Sequence, residues 1–454
     1  MGDDTPIRRR NISVLMFPWL AHGHISPYLE VAKKLAHRNF QIYFCSTPVN
    51  LNSIKQKLFS HHPNASYSNS IHLVELYLPS SLPELPPHYH TTKGLPPHLL
   101  PSLNMAMDMA KPEFSKILET LKPDLLIHDF IPTWVSSLAY SLNIPTISFM
   151  ISGASLICFG VHLASNKGGD EFPFPEICPD SAKSLLVKKL SSSSTNNESG
   201  YKRYSDVVLI KSLRELEGKY MDYLSVSFNV KVIPVGFLVP DNTDDEGMDI
   251  INWLDKKEKH STVFVSFGSE CYLSKEDMEE MAYGLELSMV NFIWVIRFPV
   301  GEKMELEESL PEKFLERVGD RGLVIENWAP QVKILNHSSI GGFVSHCGIS
   351  SVMESLKFGV PIIAMPMQHD QPWNARVIVV SGVGLEVERN SDGRIERGNV
   401  TKVIKQVMVE KIGEDIRRNA KEMSNKIRDK VDEEAINELE NEILRLCADI
   451  NVTE

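Results

Sequence analysis

Two histidines lie two residues apart in Pro18-Trp19-Leu20-Ala21-His22-Gly23-His24-Ile25-Ser26-Pro27, directly after the apolar run Ile12 to Phe17. Read as a strand, that run delivers both rings to the loop at its carboxyl end, where open parallel sheets gather ligands. An imidazole titrates near neutral pH, so a neutral ring there can take a proton from an alcohol. The ring then carries charge, and a buried carboxylate would orient and stabilise it. Asp129 suits that task, because it follows a second apolar run, Asp124 to His128. The plainer readings are a structural loop histidine and an Asp that caps the helix after Phe130.

A second chemical site is spelled out farther along. Gly341 and Gly342 enter a short apolar run ending at His346, Gly348 turns the chain, and a helical pattern starts near Ser350 and Ser351. Strand, glycine turn and helix start leave free amide N–H groups and a helix dipole facing whatever lies beyond the strand, which suits a diphosphate. Trp328 offers a flat surface for a base, Gln331 an amide for base or ribose, and Glu354 an acceptor for ribose hydroxyls. Asp370 and Gln371 bring an acceptor pair and an amide to grip vicinal sugar hydroxyls.

These residues need a scaffold, and the pattern supplies one. Short apolar runs alternate with helical stretches: Ile12 to Phe17, Tyr28 to Arg38, Gln41 to Cys45, Ile71 to Tyr77, a helix near Met105 to Leu121, then Asp124 to His128 and Thr146 to Met150. That rhythm predicts a parallel sheet with helices on both faces. It restarts after the acidic stretch Pro240 to Gly247, with Thr262 to Phe267, Ser274 to Leu287, Phe292 to Arg297, Leu323 to Ile325, Gly342 to Ser345 and Pro361 to Met365. The expected architecture is therefore α/β: two facing Rossmann-like, doubly wound domains with a cleft between them. Residues 1–240 form the first, 241–249 the linker, 250–430 the second, and 431–454 a helical tail serving plain packing, with Ala435, Leu439, Ile443 and Leu446 at helical spacing. The Pro- and His-rich segment Leu78 to Pro101 reads as a long loop, and Ser191 to Ser199 as a polar, mobile tract.

The chain's 454 residues hold 47 Lys and Arg against 59 Asp and Glu, a net charge of −12, which argues against a nucleic-acid partner. The apolar stretch after Arg8, Arg9 and Arg10 stops at Pro18, too short for a signal core or a membrane span. Six scattered cysteines without paired or zinc-type spacing fit reduced thiols in the cytoplasm. A monomer is expected, since no large apolar face is evident.

The segment WAPQVKILNHSSIGGFVSHCGISSVMESLKFGVPIIAMPMQHDQ, from Trp328 to Gln371, resembles the signature box of plant family 1 UDP-dependent glycosyltransferases, whose members adopt the two-domain GT-B fold. The resemblance implies a sugar donor on the second domain. Trp328 would stack on uracil, with Ala329 beside it; Gln331 and Glu354 would hold the nucleoside; His346, Gly348, Ile349, Ser350, Ser351 and Ser269 would lie along the diphosphate; Asp370 and Gln371 would take the sugar. Gln rather than His at the last box position is associated in that family with glucose over galactose, so UDP-glucose is the implied donor. Two positions depart from the usual His-Cys-Gly-Trp-Asn-Ser, where this chain has His346-Cys347-Gly348-Ile349-Ser350-Ser351. Ser keeps a hydrogen-bonding group, whereas Ile deletes an indole expected close to the sugar and leaves the backbone N–H.

The family's Gly-His-x-x-Pro element matches Gly23-His24-Ile25-Ser26-Pro27 and implies His24 as general base, Asp129 as its partner and His22 as a bystander. Direct displacement would then give a β-glucoside with inversion. No Asp-x-Asp element is present, so no metal and no cofactor are expected; helix N–H groups, His346 and nearby hydroxyls would stabilise the departing UDP. The acceptor would meet the first domain at Trp19, His22, His90, Trp134 and Met150, a set suited to a hydrophobic glycoside. The stretch Leu85 to His98 is either a polar acceptor wall able to hold a sugar or a solvated loop. Together with Phe17-Pro18-Trp19-Leu20 and Glu215-Leu216-Glu217-Gly218-Lys219-Tyr220, it resembles branch-forming members that add glucose to the sugar of a terpenoid, steroid or flavonoid glycoside. The competing readings are transfer to an aglycone, a UDP-sugar-binding protein impaired by Ile349, and an oxidoreductase or epimerase. The last lacks a Gly-x-Gly-x-x-Gly after the first strand.

Overall fold

The computed structural model describes residues 12–59, 69–165, 171–179, 205–239, 247–298, 306–427 and 431–450. Arg8 to Arg10, the polar tract at 191–199 and residues 241–246 of the expected linker lie outside them.

Seven strands form the first sheet: β1 (Ser13–Phe17), β2 (Gln41–Ser46), β3 (Ile71–Glu75), β4 (Leu125–His128), β5 (Thr146–Met150), β6 (Val207–Ile210) and β7 (Lys231–Pro234). Their order is β3-β2-β1-β4-β5-β6-β7, and every neighbouring pair is parallel. Six strands form the second: β8 (Thr262–Ser266), β9 (Asn291–Ile296), β10 (Gly322–Glu326), β11 (Ile340–Ser345), β12 (Ile362–Ala364) and β13 (Gly384–Glu386), in the order β10-β9-β8-β11-β12-β13 and again parallel. Helices cover both faces of each sheet, which is why the strands read as unbroken apolar runs rather than alternating ones. In β1, Val14 and Met16 enter one core while Leu15 and Phe17 enter the opposite one.

Each sheet reverses its winding once, between β1 and β4 in the first lobe and between β8 and β11 in the second. Ligands collect at such switch points. Register fixes what meets there: Phe17 pairs with His128, so the residues after β1 emerge beside Asp129, and Ser266 pairs with Ser345, so Phe267 and Gly268 emerge beside His346.

Several boundaries differ from the sequence reading. Strand β4 starts at Leu125 because the Asp124 carboxylate is turned to Ser13, taking its N–H and hydroxyl at 2.8 Å each. The helix expected near Met105 to Leu121 is two, Leu100–Met109 and Lys111–Leu121. Pro112 lacks an N–H and so fits the first turn of the second. The loop from Leu78 is punctuated by 3-10 turns at Pro87–Tyr89 and Pro97–Leu99. The last helix, Val431–Ile450, returns to the first lobe. It sends Ile436, Leu439 and Ile443 into the core that holds Val14 and Ile42, while Asp432 accepts the Phe237 N–H at 2.8 Å and Glu440 pairs with Arg38 at 2.8 Å.

Candidate active site between the two lobes

The helix His22–Ala36 begins four residues after β1 and carries His24 in its first turn. Across the switch point, Asp129 is wholly buried and donates its own N–H to Phe17 O at 3.0 Å. Its Oδ2 lies 2.6 Å from His24 Nδ1 and accepts the Trp19 N–H at 3.2 Å, while Oδ1 accepts the Ile131 N–H at 3.2 Å. An ionised carboxylate only accepts, so in the neutral ring His24 Nδ1 carries the proton and Nε2 keeps its lone pair. The His24 side chain is 14% exposed, enough for a small alcohol to reach it.

On the second lobe, β11 ends at Ser345, Cys347 takes a positive φ of 63°, and Gly348 starts the helix Ile349–Phe358. No side chain caps that helix, so its first-turn N–H groups are open to an anion. Glycine is required at the turn, because a Cβ on Gly348 or on Gly268 would lie 2.6 Å from His346 Nε2. His346 Nδ1 is buried with no hydrogen-bond partner. Burial, followed by the nearby Arg297 charge, pushes the ring down to about 4, so a neutral imidazole faces the anion site at pH 7.

Beside this turn is a cavity of about 280 Å³ lined by Trp328, Ala329, Gln331, Glu354, Ser269 and Arg297, among others. Trp328 is 52% exposed, a free flat ring at the mouth. Gln331 Nε2 donates to Glu354 Oε2 at 2.7 Å and to Ser351 Oγ at 3.1 Å, tying the nucleoside-side residues into one network. Burial raises the carboxyls of Glu354 and Asp370, and Gln331 and Asn374 respectively oppose that rise.

Other expected site residues take different positions. Ile349 turns its side chain away from the cleft into a cluster with Leu213, Phe237 and Val352, so the indole missing there changes packing between the lobes. Gln371 is buried; its Oε1 accepts the N–H groups of Met367 and Gln368 at 2.9 Å each and its Nε2 donates to Cys271 Sγ at 3.5 Å, so one amide hydrogen is left for a sugar. Trp19 is 5% exposed in the first-lobe core, because the backbone must bring its N–H to Asp129. His90 is also buried, with Nε2 donating to Leu85 O at 3.2 Å inside its own loop. Trp134 is half-buried, with its Nε1 donating to Asp108 at 3.1 Å; His22, which starts the helix after β1, and Met150, which ends β5, are half-buried as well.

Two cations were missed. Arg297 follows β9 and donates to Gly268 O at 2.6 Å, and Lys211 follows β6 and reaches Ser350. Both announce themselves as a charge directly after a buried parallel strand, the place where such sheets put functional groups.

The family described as UDP-glucoronosyl and UDP-glucosyl transferase matches residues 206–431, and the one described as Glycosyltransferase, N-terminal domain, matches residues 10–240. The chain is 53% identical over 439 residues to a Mogroside IIIx synthase of Siraitia grosvenorii, covering 94% of this chain and 96% of that protein. It is 50% identical to a Beta-D-glucosyl crocetin beta-1,6-glucosyltransferase of Gardenia jasminoides, covering 88% and 92%. The structure of Phytolacca americana UGT2 complexed with UDP-2fluoro-glucose and pterostilbene superposes with a TM-score of 0.76 at 25% identity, covering 95% of this chain and 99% of that one. The two switch-point sites facing one cleft, and the match across both lobes, place this chain in the plant UDP-dependent glycosyltransferase family: it is an enzyme of GT-B fold that transfers a sugar from a UDP-sugar.

Proposed function

We propose that the enzyme moves glucose from UDP-glucose to a sugar hydroxyl of a small hydrophobic glycoside, with inversion at the anomeric carbon. The observation that carries this reading is the 2.6 Å contact between His24 Nδ1 and buried Asp129, which leaves Nε2 of a partly exposed ring as the base.

In the proposed reaction His24 Nε2 takes the acceptor hydroxyl proton as that oxygen attacks the anomeric carbon. The bond to the UDP oxygen breaks, and Asp129 stabilises the imidazolium. Charge on the departing diphosphate is met by the open N–H groups of helix Ile349–Phe358, by Ser351 and by neutral His346. Trp328 and the Gln331–Glu354 pair hold the nucleoside. Among the described residues no group of three or more His, Cys, Asp or Glu is placed to hold a metal ion. Sugar-on-sugar transfer is supported by the name of the Gardenia relative, a beta-1,6-glucosyltransferase of a glucosyl crocetin.

No helix of the described residues is long and apolar enough to cross a membrane; a cytoplasmic location is proposed from the scattered cysteines of the sequence. Incubation with UDP-glucose and a panel of glycosides and matching aglycones, with the product solved by NMR, tests the function. A β-glucosyl unit on an existing sugar is expected. Products only on aglycones would replace the acceptor assignment, and UDP binding without any transfer would leave a binding protein.

A further inference from the structure

Among the described residues Lys211 is the one lysine with a large, fully buried side chain, 2% exposed. It stands at the carboxyl end of β6 on the first lobe, yet its Nζ donates to Ser350 Oγ on the second at 2.6 Å. An ammonium has three donors and is costly to bury beside a single neutral hydroxyl. Ser350 lies in the first turn of the uncapped helix Ile349–Phe358, next to the buried, unpartnered His346 Nδ1. The groups whose charges act on Lys211 are Glu354, Asp370 and Glu30, the first two being the ribose- and sugar-side carboxylates of the donor site.

We propose that Lys211 is a donor-site residue contributed by the acceptor lobe, whose ammonium contacts the diphosphate of the UDP-sugar and couples donor binding to the meeting of the two lobes. Ser350 holds the head group over the helix N-terminus, and the anion satisfies the donors that protein leaves unused. Burial lowers this lysine to about 8, a cost that a nearby anion removes. The same contact explains why serine suffices at position 350: a short hydroxyl positions a charge brought from the opposite lobe. A lysine there also supplies positive charge to the leaving group where the sequence carries no metal-binding Asp-x-Asp element.

The inference rests on the donor reading above, so calorimetric titration of the full-length chain uses both UDP and uridine. Wild type should bind UDP more tightly than uridine; equal binding would overturn the donor reading itself. With that established, Lys211→Met should weaken UDP about 10- to 100-fold, leave uridine unchanged and keep or raise the melting temperature without ligand. Lys211→Arg should recover most of the UDP affinity. Unchanged UDP affinity in Lys211→Met, or an equal loss for uridine, would show a packing role and overturn the proposal. If Lys211→Met does not fold, Ser350→Ala removes the tether while keeping the charge. It should cost UDP a few-fold and uridine nothing, and an unchanged UDP affinity there overturns the proposal as well.

Discussion

Nδ1 of His24 and Oδ2 of Asp129 meet at 2.6 Å although 105 residues separate them, because β1 and β4 are neighbours at the point where the first sheet reverses its winding. The register that pairs Phe17 with His128 sets the geometry of the pair, and the N–H groups of Trp19 and Ile131 hold the carboxylate in place. A variant that keeps this shape and removes the charge isolates what the carboxylate does.

Asp129→Asn should lower kcat by about 10³- to 10⁴-fold with little change in the KM for UDP-glucose, since an amide cannot stabilise the imidazolium and can favour the wrong tautomer. Steady-state kinetics with the donor varied checks this. A proportional loss in donor affinity would point instead to collapse of the loop.

The two sheets are legible in the sequence because unbroken apolar runs mark their strands, and the proposed His24–Asp129 pair because each residue follows such a run. The burial of Trp19 and His90 is not, because an aromatic or a histidine on a loop looks alike whether its ring meets solvent or core. Lys211 escaped because its partner, Ser350, is 139 residues away on the other lobe. The final helix was read as a separate tail, since periodicity gives a face but not the surface that the face covers.

That helix gives a stability prediction. Leu439 is fully buried in the first-lobe core, so Leu439→Ala should cost about 2–5 kcal/mol. Denaturant titration should show the loss in the first lobe, and a change below about 1 kcal/mol would mean that the helix is only loosely attached.

Stability should also depend on pH below neutrality. His346 is held at about 4 against an ordinary 6.5, and burial lowers His90 and His128 in the same direction. The unfolded chain therefore binds protons that the native state refuses. The contribution is complete above about pH 6.5 and is lost as pH falls toward 4, by up to about 3 kcal/mol for His346. Melting curves from pH 7 to pH 5 should fall in the wild type and fall less in His346→Asn. Parallel curves would contradict the assignment.

Turnover should persist in excess EDTA, because the helix amides and nearby side chains carry the leaving-group charge. Loss of activity restored by magnesium or manganese would contradict a metal-free reaction.

The most direct measurement is turnover of UDP-glucose by His24→Ala, alongside its affinity for UDP. A fall in kcat of about 10²- to 10⁴-fold with UDP binding intact is expected if this ring removes the acceptor proton. Turnover close to wild type would contradict it.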